Sequence, residues 1–107
     1  MNKRRVVITG MGIVSPVGNT VEESWKNILA GKSGISSLIN IDTQGQSVTF
    51  GGSVKNFEIS DYLTPKEAKK MDTFIHYGMA AGIQAFEDCG IEVTEENSER
   101  IGVAIGA

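Results

Sequence analysis

Val6-Val7-Ile8-Thr9-Gly10-Met11-Gly12-Ile13-Val14 is a nearly unbroken apolar run, β-branched at six of its nine positions. A stretch this short and this rich in branched side chains predicts a strand covered on both faces, the kind found inside α/β sheets. Ile101-Gly102-Val103-Ala104-Ile105-Gly106-Ala107 opens a second such run at the other end of the chain. A buried parallel strand needs covering helices and a neighbour on each side. The pattern therefore reads as the front part of a larger α/β protein, 1–107 being one segment that stops at the start of a central strand.

Between these runs the spacing predicts helices. Ser15-Pro16-Val17-Gly18-Asn19 supplies a loop, and Thr20-Val21-Glu22-Glu23 has the form of a capping box, with Thr20 accepting from the backbone and Glu23 reaching back. Val21, Trp25, Ile28 and Leu29 then share one helical face, and Gly31 is placed to end the helix in a left-handed conformation. Ser33 to Gln46 reads as an extended connection with Ile35, Leu38, Ile39 and Ile41 as buried anchors. Ser47 to Val54, with Gly51-Gly52, reads as an irregular or edge strand.

Thr64-Pro65-Lys66-Glu67 is a second capping box with Pro at the first helical position. Its helix, or one beginning just after it near Asp72, is expected to run to Gly90. Between Phe74 and Phe86 it carries few polar side chains, His76 and Gln84 chief among them, and so should be buried on several sides. Glu87 to Arg100 holds six of the thirteen acidic residues and reads as a solvated connection.

Composition limits the function. The 107 residues carry 10 Lys+Arg against 13 Asp+Glu, a net charge of −3, which disfavours a nucleic-acid binder. One Cys makes neither an internal disulfide nor a thiolate metal site, and fits a reducing cytoplasm. Lys3-Arg4-Arg5 ahead of the apolar run has the order of a secretory leader. Thr9, Gly10 and Gly12 interrupt it, no cleavage pattern follows, and no apolar stretch is long enough to span a bilayer. Neither export nor membrane anchoring is expected.

Few motifs carry chemistry. Gly10-Met11-Gly12 after a strand invites a dinucleotide-binding reading, but Ser15 stands where the third glycine belongs and Pro16 intervenes before the helix. Glycines placed for close packing are the stronger account. His76 and Cys89 are the only His and Cys; on a continuous helix, thirteen residues separate them by about 20 Å, too far for a dyad. No metal-ligand spacing occurs. Lys66, Lys69 and Lys70 fall on one side of a helix near its start, where lysines oppose the helix dipole, and form a compact cationic knob on an acidic chain. Such a knob suits an acidic protein or a phosphate-bearing ligand, although an ordinary solvated lysine face has the same pattern.

Lys3 to Gly12, Ser15 to Thr20 with Trp25, and Gly31-Lys32-Ser33-Gly34-Ile35 together resemble the N-terminus of the β-ketoacyl-acyl carrier protein synthase II family. Lys70-Met71-Asp72, Phe74-Ile75-His76-Tyr77-Gly78, Thr94-Glu95-Glu96-Asn97 and Arg100 to Gly106 follow the same pattern in order, so the resemblance covers essentially the whole chain. It implies the N-terminal part of a thiolase-like α/β fold, layered α-β-α-β-α and incomplete in this chain. It also implies a homodimeric condensing enzyme that elongates fatty acids by decarboxylative condensation of malonyl-carrier protein with an acyl-enzyme thioester, without metal or redox cofactor. The family's nucleophilic cysteine, two histidines and lysine would all lie beyond Ala107, so no catalytic residue is expected here and Cys89 and His76 do not match those positions. Lys66, Lys69 and Lys70 match basic positions with which the family docks its acidic acyl carrier protein; Thr64 and Ala68 make this stretch less basic than some relatives. The rival readings are a non-catalytic ketosynthase-like partner of the chain-length-factor type and a small nucleotide-binding α/β module.

Overall fold

The computed structural model describes residues 2–107. Three helices and one two-stranded sheet follow in chain order: α1 (Val21–Leu29), β1 (Ile35–Ser37), β2 (Phe50–Gly52), α2 (Pro65–Ala68) and α3 (Thr73–Cys89), with 3₁₀ turns at Ile59–Asp61 and Ser98–Arg100.

The helix ends are set by local chemistry. Thr20 Oγ1 accepts from the Glu23 amide at 3.1 Å and starts α1. Only this half of the expected capping box forms. At the other end Gly31 adopts φ +71°, with its amide bonded to Ile28 O and that of Lys32 to Asn27 O at 3.0 Å each, a Schellman closure. At α2 both arms of the box are made: Glu67 donates its amide to Thr64 Oγ1 at 3.3 Å and accepts the Thr64 amide through Oε2 at 3.1 Å. The helical path breaks at Met71, and α3 restarts from Asp72, whose side chain accepts from Thr73 N at 2.7 Å. Gly90 closes α3 at φ +69°.

α3 is the axis on which the rest assembles. The N-terminal run crosses it at Gly10 and Gly12: a Cβ on Gly10 would meet Ala85 O and lie 2.6 Å from Cys89 N, and one on Gly12 would meet Ala81 O and lie 2.7 Å from Gln84 Cβ. The glycines therefore let backbone lie on backbone. The C-terminal run reaches the same helix at Gly78, where Ile105 comes within 3.9 Å of the position a Cβ would take. A third contact comes from Phe57, stacked on Tyr62 at 6.1 Å and edge-on to Tyr77 of α3 at 5.2 Å.

Several expectations need correction. Neither apolar run forms a ladder; β1 and β2 make the only sheet among the described residues, an antiparallel pair with Ser36 opposite Gly51. Among the described residues the runs pair with no neighbouring strand, and Val6 is 87 % and Val103 85 % exposed. The Ser33–Gln46 connection contains β1, and its supposed anchors Ile35, Ile39 and Ile41 are exposed; Leu38, beneath Gly51, is the half-buried one. α3 is not enclosed: Ala80 is its one buried residue, and Phe74 remains 57 % exposed. The apolar face of α1 likewise overlooks an open hollow shared with Met11, Ile13 and Ala85.

Size explains this pattern. The Cα radius of gyration is 17.5 Å, whereas a compact chain of this length would have about 13 Å. The accessible surface is 9053 Å², against about 5,800 Å² for a folded monomer of equal mass.

Candidate functional site

Lys66, Lys69 and Lys70 are all exposed. The sequence suggested a helix start with lysines opposing the dipole, but α2 has one turn only, Lys69 is its C-cap and Lys70 follows it. Two of the three lysines thus sit beside the carbonyl end, where a cation is favoured. Helical hydrogen bonding continues through them in tightening steps, Lys69 N to Pro65 O at 3.1 Å, Lys70 N to Glu67 O and Met71 N to Ala68 O at 3.2 Å each.

The lysine turn is held from behind. His76 Nε2 hydrogen-bonds Ala68 O at 2.9 Å, crossing the corner between α2 and α3. Of the two positions that lower the local basicity, Thr64 caps α2 through its side chain, whereas Ala68 meets His76 through a backbone carbonyl that any residue would supply. His76 and Cys89 lie thirteen residues apart on the continuous α3, and the Cys89 thiol donates to Phe86 O at 3.0 Å. They form no dyad.

Sequence reading missed Gln84. Its Oε1 accepts from Ile13 N at 3.2 Å, and its Nε2 donates to Asn19 O at 2.7 Å and Tyr62 Oη at 2.9 Å, so one amide ties three segments to α3. One turn on, Asp88 accepts from Met11 N at 3.0 Å, so this member of the supposed solvated connection belongs to the fold. The interruption of an apolar helix by polar residues at spacing four was the available signal. Lys55 was also missed: its ammonium donates to the carbonyls of Gly34 and Ser53 at 3.0 Å and Pro16 at 3.4 Å, stapling three loops.

The Gly10–Gly12 stretch is occupied by α3 and leads into a tight turn in which the Ser15 amide bonds Gly18 O at 2.8 Å. No helix N-terminus follows the glycines directly, which removes the dinucleotide reading. Among the described residues no cluster of three or more His, Cys, Asp or Glu could hold a metal ion, and no helix is long and apolar enough to cross a membrane.

Residues 3–107 match the pattern of the Beta-ketoacyl synthase, N-terminal domain. The chain belongs to the β-ketoacyl synthase family. Among curated β-ketoacyl synthase relatives it is 62 % identical over 107 residues to a 3-oxoacyl-(acyl-carrier-protein) synthase 2 of Vibrio cholerae and 58 % identical to that of Vibrio harveyi, covering 100 % of this chain and 26 % of each relative. A Synechocystis protein of the same name is 41 % identical over 106 residues, 99 % of this chain and 26 % of its own. A solved structure titled "The ishigamide ketosynthase/chain length factor" superposes with a TM-score of 0.76 at 32 % identity, over 90 % of this chain and 23 % of that one. The chain spans about a quarter of the length of its curated relatives. The thiolase-like expectation for the fold holds for this partial α/β segment.

Proposed function

We propose that residues 1–107 form the N-terminal segment of a condensing synthase domain, and that their own contribution is to dock an acyl carrier protein through Lys66, Lys69 and Lys70. The observation that carries the reading is 62 % identity along the whole chain to a protein named as an acyl-carrier-protein synthase. The complete protein transfers an acyl chain to a cysteine outside this segment and condenses it with the carbanion left by decarboxylation of malonyl-carrier protein. It works as a homodimer in the cytoplasm. Exposed lysines beside a carbonyl helix end suit such a partner, because charge complementarity with an acidic surface speeds encounter and fixes register.

The test is charge reversal of all three lysines in the complete synthase. The expected result is at least tenfold weaker carrier binding, steeper at low salt, with the cooperative unfolding transition retained. Unchanged carrier affinity would remove the docking role. A ketosynthase/chain-length-factor title among the structural neighbours supports a second reading, a non-catalytic partner with the same fold. Condensation turnover by the complete protein selects the first reading; carrier binding without turnover selects the second.

A further inference from the structure

We propose that His76 is a positioning residue for carrier docking: it latches the lysine turn onto α3. This rests on the docking role of the lysines. A one-turn helix has no stability of its own, since nucleation costs more than a single turn returns. Two side-chain devices hold α2. Thr64 and Glu67 exchange hydrogen bonds at its start. At its end Ala68 O accepts from Met71 N at 3.2 Å and bonds His76 Nε2 at 2.9 Å, which uses both carbonyl lone pairs.

The second bond closes a ring of chain from Ala68 to His76 that contains Lys69 and Lys70. His76 itself is fixed, its amide bonded to Asp72 O at 3.2 Å within the first turn of α3. Two of the three cations therefore keep a set direction relative to the long helix. Without the latch, Lys69 and Lys70 would sit on a hinge at Met71 and would have to be ordered during binding, a cost that lowers affinity without removing any contact. The imidazole touches no partner in this account; it acts through the backbone of Ala68.

The experiment compares His76→Phe, which keeps a ring and loses the bond, with His76→Gln, whose terminal amide can restore it, in the complete synthase. The readout is the ratio of kcat/KM for a carrier-linked acyl substrate to that for the same acyl group on pantetheine, together with hydrogen exchange at the amides of residues 68–71. His76→Phe should lower the ratio about three- to tenfold and speed exchange at those amides, and His76→Gln should recover most of both. An unchanged ratio in His76→Phe overturns the proposal, as does an equal loss on both substrates, which would mark a merely structural histidine. Charge reversal of Lys69 and Lys70 beside wild-type His76 separates the two readings. If it leaves the ratio unaltered, docking through these lysines fails and the latch falls with it; if it lowers the ratio while His76→Phe does not, only the latch fails.

Discussion

Gly12 and Gly10 show what single residues decide here. Both lie where a methyl group would enter the backbone of α3, with Gln84 Cβ 2.7 Å and Ala85 N 2.8 Å from the Cβ position of Gly12. Nothing can swing aside, because the obstacles are helix backbone atoms and the Cβ atoms of Gln84 and Cys89, which are fixed to that backbone. Gly12→Ala is expected to destabilise the complete protein by about 3 kcal/mol, measured by urea unfolding; a change below ~0.5 kcal/mol would show that the two segments can separate freely. The partnership of Gln84 and Asp88 is the polar counterpart of this contact. Their side chains take the Ile13 and Met11 amides on the same N-terminal run that the glycines bring close. An intramolecular hydrogen bond contributes about 0.5–1.5 kcal/mol net, and these two tie the N-terminal run to α3, so the helix's few polar side chains have a structural part beside its apolar ones.

At the scale of elements, capping chemistry outweighs helix propensity. α2 is four residues long and holds its shape through Thr64 and Glu67 at one end and His76 at the other. Thr64→Ala is expected to cost about 1 kcal/mol and to speed amide exchange at Glu67 and Ala68 specifically, with α3 unaffected. Equal acceleration along α3 would mean that the two helices open as one unit. The break between α2 and α3 was one of two options offered by the sequence, and Asp72, a good N-cap with its carboxylate on Thr73 N, is the residue that makes it. The caps at Thr20, Gly31, Thr64 and Gly90 were legible for the same reason: they act within three or four residues.

For the whole molecule, the excess of surface is the governing quantity. About 3,000 Å² more than a folded monomer of this mass should show is spread over the flanks of α3, the apolar face of α1 and the two terminal runs. Residues 1–107 produced alone are expected to bind hydrophobic dyes, to self-associate in sedimentation, and to give no condensation turnover. Monomeric behaviour with a sharp unfolding transition would show instead that the segment is self-sufficient.

The sequence by itself determined the family, the two apolar runs and the caps at Thr20, Gly31, Thr64 and Gly90, because each depends on neighbours a few positions away or on a pattern carried along the chain. Tertiary structure alone decided that Gly10 and Gly12 serve α3, that Gln84 joins Ile13, Asn19 and Tyr62, and that Lys55 staples three loops. It also paired Ile35–Ser37 with Phe50–Gly52 and turned His76 toward Ala68. Most of these contacts join groups far apart along the chain, while His76 meets Ala68 only because the chain turns a corner between them. Their partners are set by where backbone passes backbone rather than by composition or period.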